Sequence, residues 1–189
     1  MAQRFLFFFA FPLRLCGFAR ENVDMSLTPS EMRRRTFERA VKLLAARPRS
    51  VAELRERLLR GKNTDEATVE IVIARLREYG YLDDERFAFS YASYKVKQRP
   101  VGRRRLERDL KFKKVDSEVA SEALEMVYAE TSEEQLIDKA IEKRLRIRGR
   151  PKNRAQAKSL FDHLLRQGFG FELVSEKVRS LATDYADED

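Results

Sequence analysis

An all-α chain of three tandem three-helix repeats, stacked into an elongated, solenoid-like rod, is the fold this sequence predicts, and three observations carry it. The dipeptide Arg-Pro recurs as Arg47-Pro48, Arg99-Pro100 and Arg150-Pro151, spaced by 52 and then 51 residues. Two positions after each proline stands a residue suited to capping a helix N-terminus: Ser50, Gly102 or Asn153. No stretch shows sustained period-two alternation bounded by hairpin turns.

The elements follow in order. Each cap opens an amphipathic run, marked by Leu54 and Leu58, by Leu106 and Leu110, and by Leu160 and Leu164. A second run then repeats one face at matching offsets: Val69, Ile73 and Leu76; Ala120, Leu124 and Val127; Val174, Val178 and Leu181. Before each Arg-Pro lies a further helix, carrying Phe37, Val41 and Leu44, then Phe87 and Tyr91, then Leu136, Ala140 and Leu145. Helix starts are signalled by Thr28-Pro29-Ser30-Glu31, by Asn63 with Glu66, and by Thr131 with Glu134. The repeats therefore span residues 30–82, 83–130 and 131–183, with an acidic tail at 184–189. Units near 50 residues bury too little for a generous core of their own, so neighbours are expected to stack.

Residues 1–29 stand apart as a leader. Within the first 24, six of the chain's 13 phenylalanines cluster at positions 5, 7, 8, 9, 11 and 18. This run mimics a secretory apolar segment, but it is too short to span a bilayer, and Pro12 and Arg14 interrupt it. The expectation is translation from Met25, a cytoplasmic location and no membrane partner.

Composition narrows the function. The chain has 189 residues, of which 37% are charged and 43% apolar, with a net charge of +8. One cysteine excludes an internal disulfide or a cysteine-based zinc cluster, and one histidine, His163, suits neither a histidine-ligated metal nor a His-centred triad. Neither glycine-rich phosphate cradle is present. These absences point away from an enzyme, with no metal and no cofactor expected. Charge instead alternates with the repeat. Residues 31–62 carry +7, 95–114 carry +8 and 139–158 carry +8, separated by stretches of −4 and −8. A basic stripe recurring along a rod suits a linear polyanion or a filament formed on one. The expected contacts are Arg99, Arg103, Arg104, Arg105, Arg148, Arg150, Lys152 and Arg154. Two alternatives share the stripe: a free-standing nucleic-acid-binding protein, and a helical-repeat scaffold for an acidic protein partner. Tyr91 and Tyr94, interleaved with Lys95 and Lys97, offer rings for base stacking, although their helical spacing favours core or snorkelling positions, and His163 is expected to be structural.

Gly80-Tyr81-Leu82-Asp83-Asp84-Glu85-Arg86-Phe87-Ala88 resembles the signature of the RecX family, bacterial regulators of the RecA recombinase. Arg49-Ser50-x-x-Glu53-Leu54, Gly102-x-x-Arg105-Leu106 with Asp109-Leu110, and Gln167-Gly168-Phe169 resemble its other motifs, over about residues 34–182. The pattern departs at Lys114, where the family has glycine, and around Gly61-Lys62-Asn63. The resemblance implies three three-helix repeats, no catalytic residues, and a monomer that lies in the groove of RecA filaments on DNA, blocking ATP hydrolysis and strand exchange in recombination and DNA repair. Single- or double-stranded DNA is a second partner it allows. By its residues alone, the signature reads as a joint: Gly80 ends a helix, Tyr81 and Leu82 pack into the boundary, Asp83 or Asp84 caps the next helix, and Arg86 pairs with a neighbouring acid.

Overall fold

A computed structural model describes residues 28–62 and 64–183. Within them the chain forms nine helices and no strand: α1 (Pro29–Ala46), α2 (Val51–Leu59), α3 (Glu66–Glu78), α4 (Asp84–Gln98), α5 (Arg103–Phe112), α6 (Ser117–Glu130), α7 (Glu133–Arg148), α8 (Arg154–Gln167) and α9 (Phe171–Thr183). Residues 1–27 of the leader, Asn63 and the acidic tail lie outside the described residues, while Thr28 and Pro29 belong to the start of α1. No helix among the described residues is long and apolar enough to cross a membrane.

Local chemistry explains the boundaries. Thr28 caps α1 by accepting from the Glu31 amide, with Pro29 in the first turn. Ser50 and Asn153 cap α2 and α8 by accepting from the Glu53 and Gln156 amides. Arg47 and Arg99, each held extended by the following proline, end α1 and α4. Two expected caps shift. The cap of α3 is Asp65, whose carboxylate accepts from the Thr68 amide at 2.6 Å, rather than Asn63. The cap of α7 is Ser132, because the Thr131 amide still bonds back to the Val127 carbonyl and closes α6. In both cases the residue directly before the helical run reaches the free amides.

The leucine pairs of α2, α5 and α8 are buried, as expected. The first helices differ. In α1 the buried residues are Thr36 and Ala40, and in α4 they are Ala88, Ala92 and Val96. Phe37, Leu44, Phe87 and Tyr91 only flank the core, and Val41 is 41% exposed. Small side chains let α1 approach α3, and α4 approach α6, closely, and the larger residues rotate outward. They face an open cleft of about 1150 Å³ between α1 and α4.

The core has two parts. Nine residues from Ala40 to Leu82 form one, within α1–α3 and the turn that follows. The second and third helix trios share the other, which runs from Ala88 to Val174. The first trio therefore does assemble a core of its own, contrary to the expectation from unit size.

Candidate functional site

The second helices of successive trios meet end to end. The Ser50 hydroxyl, capping α2, donates to the Lys113 carbonyl at the end of α5. One repeat later, the Gly102 amide at the start of α5 donates to the Gln167 carbonyl at the end of α8 (3.0 Å), and the Arg104 amide donates to the Gly168 carbonyl (3.1 Å). A carboxylate from the next first helix completes each joint. Asp84 of α4 accepts from the Val51 amide (2.9 Å), and Glu133 of α7 accepts from the Arg103 amide (3.0 Å). Free helix amides thus find partners in the neighbouring trio, and the basic junctions are set in a row. Gly102 supplies no side chain to cap α5, which explains why Glu133 is needed there.

Of the predicted cations, Arg99, Arg104, Arg148, Arg150, Lys152 and Arg154 are exposed. Arg103 and Arg105 are half-buried and have partners within the chain. Arg103 pairs with Glu107 (3.3 Å) and Glu125 (3.6 Å), and Arg105 donates to the Arg166 carbonyl (3.4 Å) across the joint. Arg148 lines a small cavity of about 180 Å³ with Arg144, beside the turn at Pro151. Two guanidiniums one helical turn apart make that turn attractive to phosphate or carboxylate.

Sequence reasoning missed the equivalent cations of the first junction. Arg47 and Arg49 both lie 2.5 Å from Glu53, with Arg57 at 3.6 Å and Lys113 at 3.7 Å. Burial pulls the Glu53 carboxyl upward, but Lys113, Arg47 and Arg49 outweigh it and hold the group below the usual carboxylate range. Burial and the nearby Arg47 lower the Arg49 guanidinium from its ordinary value. Four cations around one carboxylate leave a positive surplus. The signal was legible only in part, since Arg47-Pro48 was noted as a turn while Lys113 is distant in the sequence. Elsewhere, burial and then Glu133 push the Tyr128 phenol upward, and its hydroxyl donates to the Val101 carbonyl (2.8 Å) to fix the α4–α5 turn. His163 is half-buried, and burial, then Arg144 and Arg166, lower its pKa, in keeping with a structural role.

Comparison with known proteins bears on this arrangement. Family models described as the first and second three-helix domains of RecX match residues 37–76 and 83–124. A "Regulatory protein RecX" of Amycolatopsis mediterranei is 32% identical over 162 residues, covering 84% of this chain and 91% of that protein. The chain belongs to the RecX family. A RecX of Bacillus licheniformis is also 32% identical, over 81% of this chain, which spans 57% of that longer protein. The crystal structure of RecX from Lactobacillus salivarius superposes with a TM-score of 0.71 at 19% identity, covering 82% of this chain and 99% of that one, which supports the shared fold. The named relatives are regulatory proteins.

The RecX signature maps onto the joint. Gly80 takes φ +69°, and the Tyr81 amide reaches back to the Leu76 carbonyl, ending α3. Leu82 is buried, Asp83 caps α4 by accepting from the Arg86 amide, and Asp84 caps α2. Two details correct the sequence reading. Tyr81 is exposed rather than packed into the boundary, because it continues the outward-turned aromatic face, edge-on to Tyr79. The Arg86 side chain makes no ion pair among the described residues, since the nearby acids Asp83 and Asp84 are engaged as caps. Lys114, the departure from the family's glycine, sits at φ +60°, the conformation glycine adopts most easily.

Proposed function

We propose that this chain is a non-enzymatic modulator of RecA-type recombinase filaments, binding along the filament groove on DNA and lowering ATP hydrolysis and strand exchange. The observation that carries the reading is the regular recurrence of exposed cations at equivalent turns between first and second helices: Arg99 and Arg104 at the α4–α5 turn, Arg148, Arg150, Lys152 and Arg154 at the α7–α8 turn. A rod presenting positive charge at each repeat suits a helical groove lined by phosphate and acidic protein, where several weak attachments add in avidity. Membership of a family of regulatory proteins supports the same direction. The protein acts as a monomer in the bacterial cytoplasm, and residues 30–82, 83–130 and 131–183 are its three repeats.

Binding to recombinase filaments, to bare DNA and to DNA-free recombinase, compared at one salt concentration, tests this. The expected order places filaments first. Equal binding to bare DNA would favour a free-standing nucleic-acid-binding protein, and equal binding to DNA-free recombinase a scaffold for an acidic protein.

A further inference from the structure

The cleft between α1 and α4 contains none of the eight cations expected from the sequence, and its lining is unusual. One wall carries Phe37, Val41 and Leu44, and the other carries Phe87, Tyr91 and Tyr94, with Tyr79 and Tyr81 at the turn between them. Four of the chain's six tyrosines therefore line one cleft, in a protein with no tryptophan. Tyr79, Tyr81 and Tyr94 are 52%, 65% and 58% exposed.

Neighbours hold these rings in place. Tyr79 meets Phe37 and Tyr81 edge-on at 6.4 and 6.3 Å, and the Arg75 guanidinium lies 5.3 Å from both the Phe37 and Tyr79 rings. Phe87 stacks on Tyr91 at 6.0 Å, beneath the Lys95 ammonium at 5.3 Å. Gln98 donates to the Tyr94 hydroxyl at 2.5 Å. Cations border the rings. Arg47, Arg49, Arg86, Lys95 and Lys113 line the cleft against a single acid, Asp83. Although Arg47, Arg49 and Lys113 share Glu53 with Arg57, one carboxylate leaves that cluster positive.

We infer that this cleft binds single-stranded nucleic acid, with bases stacking on Tyr79, Tyr81 and Tyr94 and phosphates held by Arg47, Arg86 and Lys95. Stacking on exposed rings needs unstacked bases, which duplex DNA does not offer. Rings alternating with cations match a ligand that alternates a flat base with a phosphate. An acidic amphipathic peptide would match the charge, but its aliphatic side chains offer no flat faces to stack on the exposed rings. The inference adds a base-reading site to the basic stripe and does not depend on the recombinase, so the two readings fail separately.

The test uses the full chain without recombinase. An oligothymidylate of about 20 nucleotides, longer than the footprint of many single-strand-binding folds, is compared with an abasic strand of equal length. Tyrosine emission and the anisotropy of the labelled strand are both recorded. Oligothymidylate is expected to quench the emission and to bind at least about tenfold more tightly than the abasic strand. The double variant Tyr81→Ala/Tyr94→Ala alters two exposed side chains and is expected to keep its helical circular dichroism. It should lose most of that preference while still binding the abasic strand. Arg104→Ala, outside the cleft, should weaken both strands alike and leave their ratio unchanged. Equal binding of the two strands by the parent, or an undiminished preference in the folded double variant, would overturn the inference. So would tyrosine quenching by DNA-free recombinase combined with no quenching by oligothymidylate, which would assign the cleft to a protein segment.

Discussion

Replacing Gly102 by alanine puts a methyl group where the structure has no room for one. A Cβ at this position would lie 2.2 Å from the Phe169 nitrogen and 2.3 Å from the Gly168 carbonyl carbon. Both are backbone atoms, so no side-chain rotation relieves the clash, and α5 must move away from the end of α8. That motion stretches the bonds from the Gly102 and Arg104 amides to the Gln167 and Gly168 carbonyls, and it opens the shared core beside Val101 and Phe169, both 1% exposed. Overpacking contributes ~1–3 kcal/mol, and two weakened hydrogen bonds add about 1 kcal/mol each. The backbone at Gly102 is ordinary (φ −82°, ψ 157°), so alanine returns about 0.5 kcal/mol through the unfolded chain. The expected net loss is about 3 kcal/mol. Gly80→Ala is the control: nothing lies within 4 Å of its Cβ, and the left-handed φ of +69° sets the expected loss at ~1–2 kcal/mol. Urea unfolding followed by far-ultraviolet circular dichroism measures both, and hydrogen exchange at the Gly102 and Arg104 amides reports the joint itself. A Gly102→Ala protein within about 0.5 kcal/mol of the parent, a change typical of an ordinary surface site, with those amides still protected, would refute the close packing of α5 on α8.

Lys114→Gly should raise stability by about 1 kcal/mol, because it relieves a left-handed lysine, and the exposed pair with Glu56 that it removes contributes little. A lower urea midpoint would contradict this. Glu53 is held below its ordinary value near 4.5, so its stabilisation is complete above that pH and is lost as pH falls through the lower folded value. His163, lowered from 6.5, disfavours the protonated form, so its contribution is full above pH 6.5 and falls away below it. Denaturant titrations across this acid range should show both losses, with the lower one absent in Glu53→Gln and the upper one absent in His163→Gln. Arg104→Ala should leave stability unchanged and make the slope of log affinity for duplex DNA against log salt shallower by about 1. Arg103→Ala and Arg105→Ala, which break contacts within the chain, should each lower stability by a few tenths to about 1 kcal/mol. Equal stability of all three variants would show that the internal partners of Arg103 and Arg105 carry no weight.

Much of the architecture was legible because it is periodic. The Arg-Pro spacing, the caps Ser50 and Asn153, and the leucine pairs of α2, α5 and α8 all follow from rules acting within a few residues. The rotation of α1 and α4 was not legible. Phe37 and Tyr91 carry more apolar surface than Ala40 and Ala92, yet close helix approach selects the smaller residues, and that choice depends on the partner helix. The same rotation created the aromatic cleft, of which the sequence marked only Tyr91 and Tyr94 beside Lys95. Arg103 and Arg105 looked equivalent to Arg104 in sequence, and only the positions of Glu125 and the Arg166 carbonyl separate them. Charge blocks mark the turns between first and second helices, but the gathering of Arg47, Arg49, Arg57 and Lys113 on Glu53 required two trios to meet. At Lys114 the sequence showed only a departure from the family's glycine, and the backbone there is nevertheless left-handed.

The most direct measurement is the rate of DNA-dependent ATP hydrolysis by the recombinase of the same organism, with the full chain added at increasing ratios. The expected result is a lowered rate, with weaker inhibition by a folded variant in which the exposed residues Arg99, Arg104 and Arg150 are replaced by alanine. An unchanged rate at filament-saturating concentrations would contradict the assignment to recombinase filaments, and full inhibition by the triple variant would contradict the basic turns as the contact surface.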